Sequence, residues 1–244
     1  MTPSLLVLIA LFAFATATVS GVLGMAGGVT LLGLLTLVLP STDVVAVHGV
    51  VQLASNGSRA LLFLRRVAWR LFAAYTPGLV VGVALAAFFL RRVELPYFST
   101  VIGVFLLVFL AWRRWSPTLR ALPLFVYPVL GLVVGVLTLV VGATGPLIAP
   151  FFFRDDLDKE DIIATKAACQ MVGHLLKVPA FLALGFDYTA YAIPLTILVV
   201  VSALGTVVGK RVLEDMNKDT FDRVFQGVLA VLACVLIVNG VRAG

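Results

Sequence analysis

Residues 4–39 read SLLVLIALFAFATATVSGVLGMAGGVTLLGLLTLVL and contain no charged side chain. A helix rises ~1.5 Å per residue, so a ~30 Å hydrocarbon core is crossed by ~20 apolar residues. The stretch is too long for one crossing and is interrupted at Gly24-Met25-Ala26-Gly27-Gly28. Its first limb, 4–23, spans a bilayer, whereas its second, 27–39, reaches only ~20 Å. Helix-breaking residues at membrane depth are tolerated where the backbone is buried in protein or lines a cavity. Residues 121–153 repeat the design, with a long limb at 121–141, a break at Gly142-Ala143-Thr144-Gly145-Pro146, and a short limb at 145–153. Both stretches read as V-shaped hairpins.

The rest of the chain fits that reading. Of 244 residues, 61% are hydrophobic and 12% charged, with a mean hydropathy of +1.13. Soluble domains carry roughly 25% charged residues. These figures exclude a soluble domain, a disordered chain and an all-β sandwich, and leave an all-α polytopic membrane protein. Beyond the hairpins, full-length spans are expected at 43–64, 69–90, 96–113, 160–184, 188–208 and 221–241. The net charge of +6 comes from short basic clusters between apolar runs, a membrane-topology signal rather than a nucleic-acid footprint. Cys169 and Cys234 fall within apolar segments and read as small fillers. The N-terminus lacks the basic residues of a cleavable signal peptide, so the first run is expected to stay in the protein.

Charge bias selects the topology. If 4–39 and 121–153 each crossed once, seven basic residues would face eight across the membrane. If both are hairpins, twelve (Arg65, Arg66, Arg70, Arg113, Arg114, Arg120, Arg154, Lys159, Lys210, Arg211, Lys218 and Arg223) share one side, against Arg91, Arg92 and Arg242. The positive side is cytoplasmic, which puts both termini outside the cytoplasm of a bacterial-type inner membrane. Trp69, Trp112 and Trp115 then lie at the cytoplasmic interface.

The breaks are 118 residues apart. A shift of 118 pairs Gly24 with Gly142, Gly27 with Gly145, Asp43 with Asp161, Ala46 with Ala164 and Gln52 with Gln170. It also sets His48 on Lys166, Asn56 on His174 and Arg59 on Lys177. The chain therefore divides into 1–117 and 118–244, each a broken-helix hairpin plus three spans. Three is odd, so the second half enters from the opposite side. This is an inverted-topology repeat, and such transporters bind substrate near mid-membrane at broken helices.

A helix restarting after a break presents free N–H groups and a positive dipole end, and so favours an anion. Gly24, Gly27, Gly28, Gly142 and Gly145 let an oxyanion approach the backbone, and Thr30 and Thr144 are candidate hydroxyl donors. Spacings of 4, 4 and 3 place His48, Gln52, Asn56 and Arg59 on one helical face. Lys166, Gln170, His174 and Lys177 repeat them. Intramembrane ionisable groups are costly and usually functional. None of these eight is an acid, so a mobile anion would supply the missing charge. Arg59 and Lys177 are the candidates for gating or coupling. His174 and His48 are the candidates for proton coupling, because imidazole titrates near physiological pH. The acidic run from Asp155 to Asp161 reads as a solvated loop opening the next helix.

These features resemble the TauE/SafE family of sulfite and sulfonate exporters. The resemblance rests on Gly24-Met25-Ala26-Gly27-Gly28 with the apolar stretch to Pro40, on Val44-Val45-Ala46-Val47-His48-Gly49, on Leu64-Arg65-Arg66-Val67-Ala68-Trp69, and on Gly142-Ala143-Thr144-Gly145-Pro146 with Pro150. It covers most of the chain. The chain departs from the family pattern at Ala26, Ala143 and Thr144, where the family more often has glycine. The resemblance implies transport of sulfur-containing or other organic anions without ATP hydrolysis in the chain.

Three functions compete. The first is a secondary transporter whose anion sits between the two hairpin tips under alternating access. The second is a passive anion channel. The third is a membrane-embedded enzyme or assembly factor, against which stands the lack of a metal-binding, paired-carboxylate or P-loop motif. No catalytic residue, metal or cofactor is expected. The expected partners are the anion and membrane lipid, with no nucleic acid. The apolar outer surface leaves a homodimer open.

Overall fold

A computed structural model of the protein describes residues 3–24, 26–89, 104, 106–108, 110, 111 and 121–243, and no strand occurs among them. The helices are α1 (Pro3–Leu23), α2 (Gly27–Thr36), α3 (Ser41–Leu62), α4 (Trp69–Phe89), α5 (Val126–Val141), α6 (Gly145–Phe152), α7 (Lys159–Ala183), α8 (Ala192–Asp215) and α9 (Lys218–Ala243). Single 3-10 turns at Leu64–Arg66 and Tyr188–Tyr191 lead into α4 and α8. Most of the expected 96–113 span lies outside the described residues, as do Arg91, Arg92, Trp112, Arg113, Arg114, Trp115 and Arg120.

Both broken segments turn back on themselves. A Cβ on Gly27 would fall 1.9 Å from the Thr16 carbonyl oxygen and 2.4 Å from Ser20 Oγ, so α2 starts in contact with α1 and runs back beside it. Leu31 and Leu35 then pack with Ile9 and Ala13 of α1. In the second hairpin the Tyr127 hydroxyl, at the start of α5, donates to the Phe151 carbonyl at the end of α6 (3.1 Å). The turns need unusual backbone: φ is +66° at Gly24, +68° at Ala26 and +83° at Gly142. Glycine occupies such conformations freely, while Ala26 does so under strain.

The short limbs end at Thr36 and Phe152, earlier than 39 and 153, and α5 begins at Val126, just after Pro123. The last crossing but one runs on to Asp215, seven residues past the expected end. Its extension is capped from a distance, since the Lys159 ammonium donates to the carbonyls of Leu213, Glu214 and Met216. A cation there satisfies orphan carbonyls and the negative dipole end together.

Among the described residues, four segments are long and apolar enough to cross a membrane, namely Pro3–Leu23, Trp69–Phe89, Tyr188–Asp215 and Lys218–Val238. Helices α3 and α7 have 22 and 25 residues, ample length, but carry the polar stripes and fall outside that apolar set. They form the centre, and outer helices cover them in two close-packed pairs. Helix α4 lies on α5 through Gly78 and Gly82 against Gly131 and Gly135, where any Cβ would come within 2.4 Å of a facing carbonyl oxygen. Helix α1 lies on α8 through Gly21, Gly205 and Gly209, where a Cβ would fall within 2.8 Å of facing backbone. Small residues four apart let backbones touch and give membrane helices their dispersion contacts.

Cys169 is fully buried in the main core, and Cys234 is exposed, each as a free thiol. The acidic run does more than meet solvent. Asp158 and Asp161 form a capping box at the start of α7, and Arg154 is clasped by both oxygens of Asp156 at 2.8 and 2.6 Å. The Arg154 guanidinium holds the Asp156 carboxyl below the usual carboxylate range.

Candidate functional site at the two helix breaks

Helices α3 and α7 cross antiparallel at the centre. A Cβ on Gly49 would meet Lys177 at 3.1 Å, and one on Gly57 would meet Met171 at 3.7 Å. The two polar stripes therefore face each other. Between them and the breaks lies a cavity of about 20 Å³, close to the volume that one water's centre explores. Gly24, Gly28, His48, Gln52, Asn56 and Arg59 line it from one half of the chain, and Gly145, Gln170 and His174 from the other. Ser20, Ala26, Val29, Ala143 and Pro146 also line it, and no carboxylate is among the described lining residues.

The remaining expected residues lie around this cavity rather than on it. Gly27 is spent on the α1–α2 contact. Thr30 is exposed, off the buried face formed by Gly27, Leu31 and Leu35, which removes it as a hydroxyl donor to the cavity. Thr144 is buried but opens onto a smaller void beside Thr138, Gln170 and Gly173. Gly142 turns its carbonyl oxygen to the Lys177 ammonium at 2.5 Å. Lys166 is fully buried, with its Nζ 3.6 Å from the place a Cβ on Gly24 would take and 5.6 Å from the centre of the Phe225 ring.

The polar network is ordered on one side and open on the other. His48 Nε2–H donates to the Gly28 carbonyl oxygen (2.8 Å), which fixes its tautomer and leaves Nδ1 as the second ring nitrogen. The Asn56 amide donates to the carbonyl (3.0 Å) and to the Oε1 (3.2 Å) of Gln52. Arg59 donates through Nη1 to Asn56 Oδ1 (3.0 Å) and through Nη2 to Ser55 Oγ (3.2 Å), which in turn pairs with Thr206 Oγ1 (3.1 Å). Ser55 and Thr206 were not among the expected site residues. Ser55 was within reach of the sequence, since 52, 55, 56 and 59 share a helical face; Thr206, 151 residues away, was not.

Four buried nitrogens in this network have no hydrogen-bond partner among the described residues: Lys166 Nζ, Arg59 Nε, His48 Nδ1 and His174 Nδ1. The His48 and His174 rings meet edge to face at 5.8 Å. Three cations, Arg59, Lys166 and Lys177, are at most 1% exposed, and no carboxylate pairs with them among the described residues. Buried charge of one sign is costly unless a counter-charge joins it.

The family model for the sulfite exporter TauE/SafE matches residues 9–236, nearly the whole chain. The chain belongs to the TauE/SafE family. It is thus an integral membrane protein of the sulfite-exporter type, and its family is one of transporters rather than enzymes. No curated protein and no solved structure matches the chain. In this chain both helix breaks lie at the crossing of α3 and α7, beside buried cations that no carboxylate pairs with among the described residues. The matched span includes every residue of the cavity wall, from Ser20 to His174.

Proposed function

We infer that this protein is a secondary transporter of small sulfur-containing or organic anions, of the sulfite and sulfonate type. The observation that carries the reading is a buried, acid-free cavity at two helix breaks, walled by amides and imidazoles and surrounded by three buried cations. The anion is held between the restarting helices α2 and α6, with Gln52, Gln170, His48 and His174 beside it. On this reading the cavity of about 20 Å³ widens to admit the oxyanion. Substrate enters when the two halves part.

Alternating access follows from the inverted repeat proposed for 1–117 and 118–244. Exchange of the two halves turns the α4–α5 contact into the α8–α1 contact and leaves the α3–α7 crossing unchanged, which supports that symmetry. On this reading both termini lie outside the cytoplasm, and protonation of His174 or His48 couples transport to the proton gradient.

Counterflow in proteoliposomes tests the proposal. Labelled sulfite should enter saturably and exchange for internal sulfite. Gln52→Ala and Gln170→Ala should each weaken half-saturation by about tenfold, as expected on losing a hydrogen bond to a charged group. Flux that is linear in concentration and shows no counterflow would sink the transporter in favour of a channel. Equal initial rates with and without a proton gradient, at fixed membrane potential, would sink the coupling alone.

A further inference from the structure

The two breaks differ in how their charge is balanced. At the second break, the Lys177 ammonium is bound to the Gly142 carbonyl oxygen at the C-terminal end of α5, where a helix dipole is negative. At the first break, Lys166 Nζ and Arg59 Nε are buried and have no hydrogen-bond partner among the described residues. Lys166 and Arg59 are near enough to interact electrostatically, and Gly24 lies next to both, against Lys166 Nζ and on the cavity wall with Arg59. The first break also begins α2, a ten-residue helix with no side-chain cap at its N-terminus.

We propose that the first break, with Lys166 and Arg59, is a site for divalent oxyanions that rejects any substrate carrying an ammonium group. This refinement rests on the anion-transport reading above. Two unpaired buried cations are neutralised by a dianion, whereas a monoanion leaves one positive charge uncompensated in a low-dielectric setting. An ammonium on the substrate would find no carboxylate among the described residues of the cavity wall. The groups left to it are neutral. Gln52 Oε1 already accepts from Asn56, and the open Nδ1 atoms of His48 and His174 carry no negative charge. Lys177 lies one turn from His174 on the same helix and adds repulsion. Arg59 is pinned through both terminal nitrogens, so the guanidinium is held ready rather than recruited. Lys166 has no such clamp and is the adjustable member of the pair.

Binding of matched anion pairs to the purified full-length protein decides the matter. Isethionate and taurine have nearly the same size and differ in carrying a hydroxyl or an ammonium. Sulfate and methanesulfonate are both tetrahedral and differ in charge. Isethionate should bind at least about tenfold more tightly than taurine, and sulfate about tenfold more tightly than methanesulfonate. Lys166→Met should abolish the sulfate preference while Lys177→Met keeps it. Taurine within threefold of isethionate, or sulfate no tighter than methanesulfonate, would overturn the proposal while leaving anion transport standing. Binding of none of the four, nor of sulfite, would overturn both. The wild-type comparisons remain decisive should either variant fail to fold.

Discussion

The two hairpins use the same plan with different finishing. In the first, the chain turns at Gly24 and a strained Ala26, and beside the turn Lys166 Nζ and Arg59 Nε have no hydrogen-bond partner among the described residues. In the second, the turn at Gly142 is bolted to α7 by Lys177, and the mouth is closed by Arg154, which donates to Tyr127 and Asp156. The protein thus carries one latched break and one open one. The contrast locates where a ligand would change the energy most. Binding at a satisfied carbonyl displaces an existing bond, while binding at an unpaired cation removes a standing penalty.

The largest effect that would break this comparison comes from the turn itself. Gly27→Ala places a methyl 1.9 Å from the Thr16 carbonyl oxygen, an atom of rigid backbone, and should cost about 3 kcal/mol or more in the detergent-solubilised protein. Gly28→Ala is its control, because the added methyl meets only the flexible Gln52 side chain at 3.4 Å, and the cost should stay below about 1 kcal/mol. Equal melting temperatures for the two variants would refute the close α1–α2 approach.

Next in size is a pair of opposite signs. Lys166→Met removes an unpaired buried ammonium and should raise the melting temperature, by a free energy of a few kcal/mol at most. Lys177→Met strips the Gly142 carbonyl of its donor and should lower it by about 1–3 kcal/mol. If both variants move the same way, the latched and open breaks are not different in kind.

How far these contrasts were legible in the sequence depends on range. The glycine clusters and the polar stripes are short-range patterns, and both give their elements correctly. The reversal at Gly27 follows from the first, but the edge-to-face contact of His48 with His174 does not, because the 118-residue shift sets His48 on Lys166 and Asn56 on His174. Gly78 and Gly82, Gly131 and Gly135, and Gly205 and Gly209 are also four apart, a spacing that marks touching membrane helices, yet an apolar surface reading passes over it. The bond from Tyr191 to Asp43, the Thr206–Ser55 pair and the Lys159 cap on α8 link residues far apart in sequence, and no local pattern encodes them. The difference between Lys166 and Lys177 was likewise out of reach. Both are lysines on one helical face, and only the position of the Gly142 carbonyl separates them.

Ala26 sharpens the comparison at a smaller scale. Its φ of +68° with ψ of −58° is a conformation that favours glycine, and it precedes α2 directly. Ala26→Gly should relieve strain of about 1 kcal/mol, less a few tenths for the added freedom of the unfolded chain. Thermal melting should therefore show a small gain at the first break. A loss in stability would mean that the first turn is unstrained and that the methyl, buried in the cavity wall, contributes packing instead.

The smallest effect tests the mouth of the second hairpin. Because Arg154 lowers the folded-state titration of Asp156, the pair contributes stability above the ordinary carboxylate range. That contribution is lost as pH falls through the lowered folded value, when the unfolded chain has already taken up its proton. Half of the Asp156 side chain is exposed, so the gain is that of a surface pair, about 0.5 kcal/mol. Asp156→Asn should lower stability by that amount at neutral pH and remove this part of the acid dependence. Arg154 is only 9% exposed and also donates to Tyr127, so Arg154→Met should cost more than Asp156→Asn at every pH. Costs that are equal, and that vanish together in acid, would show that the clasp acts through charge alone and that the Tyr127 link does not hold the hairpin shut.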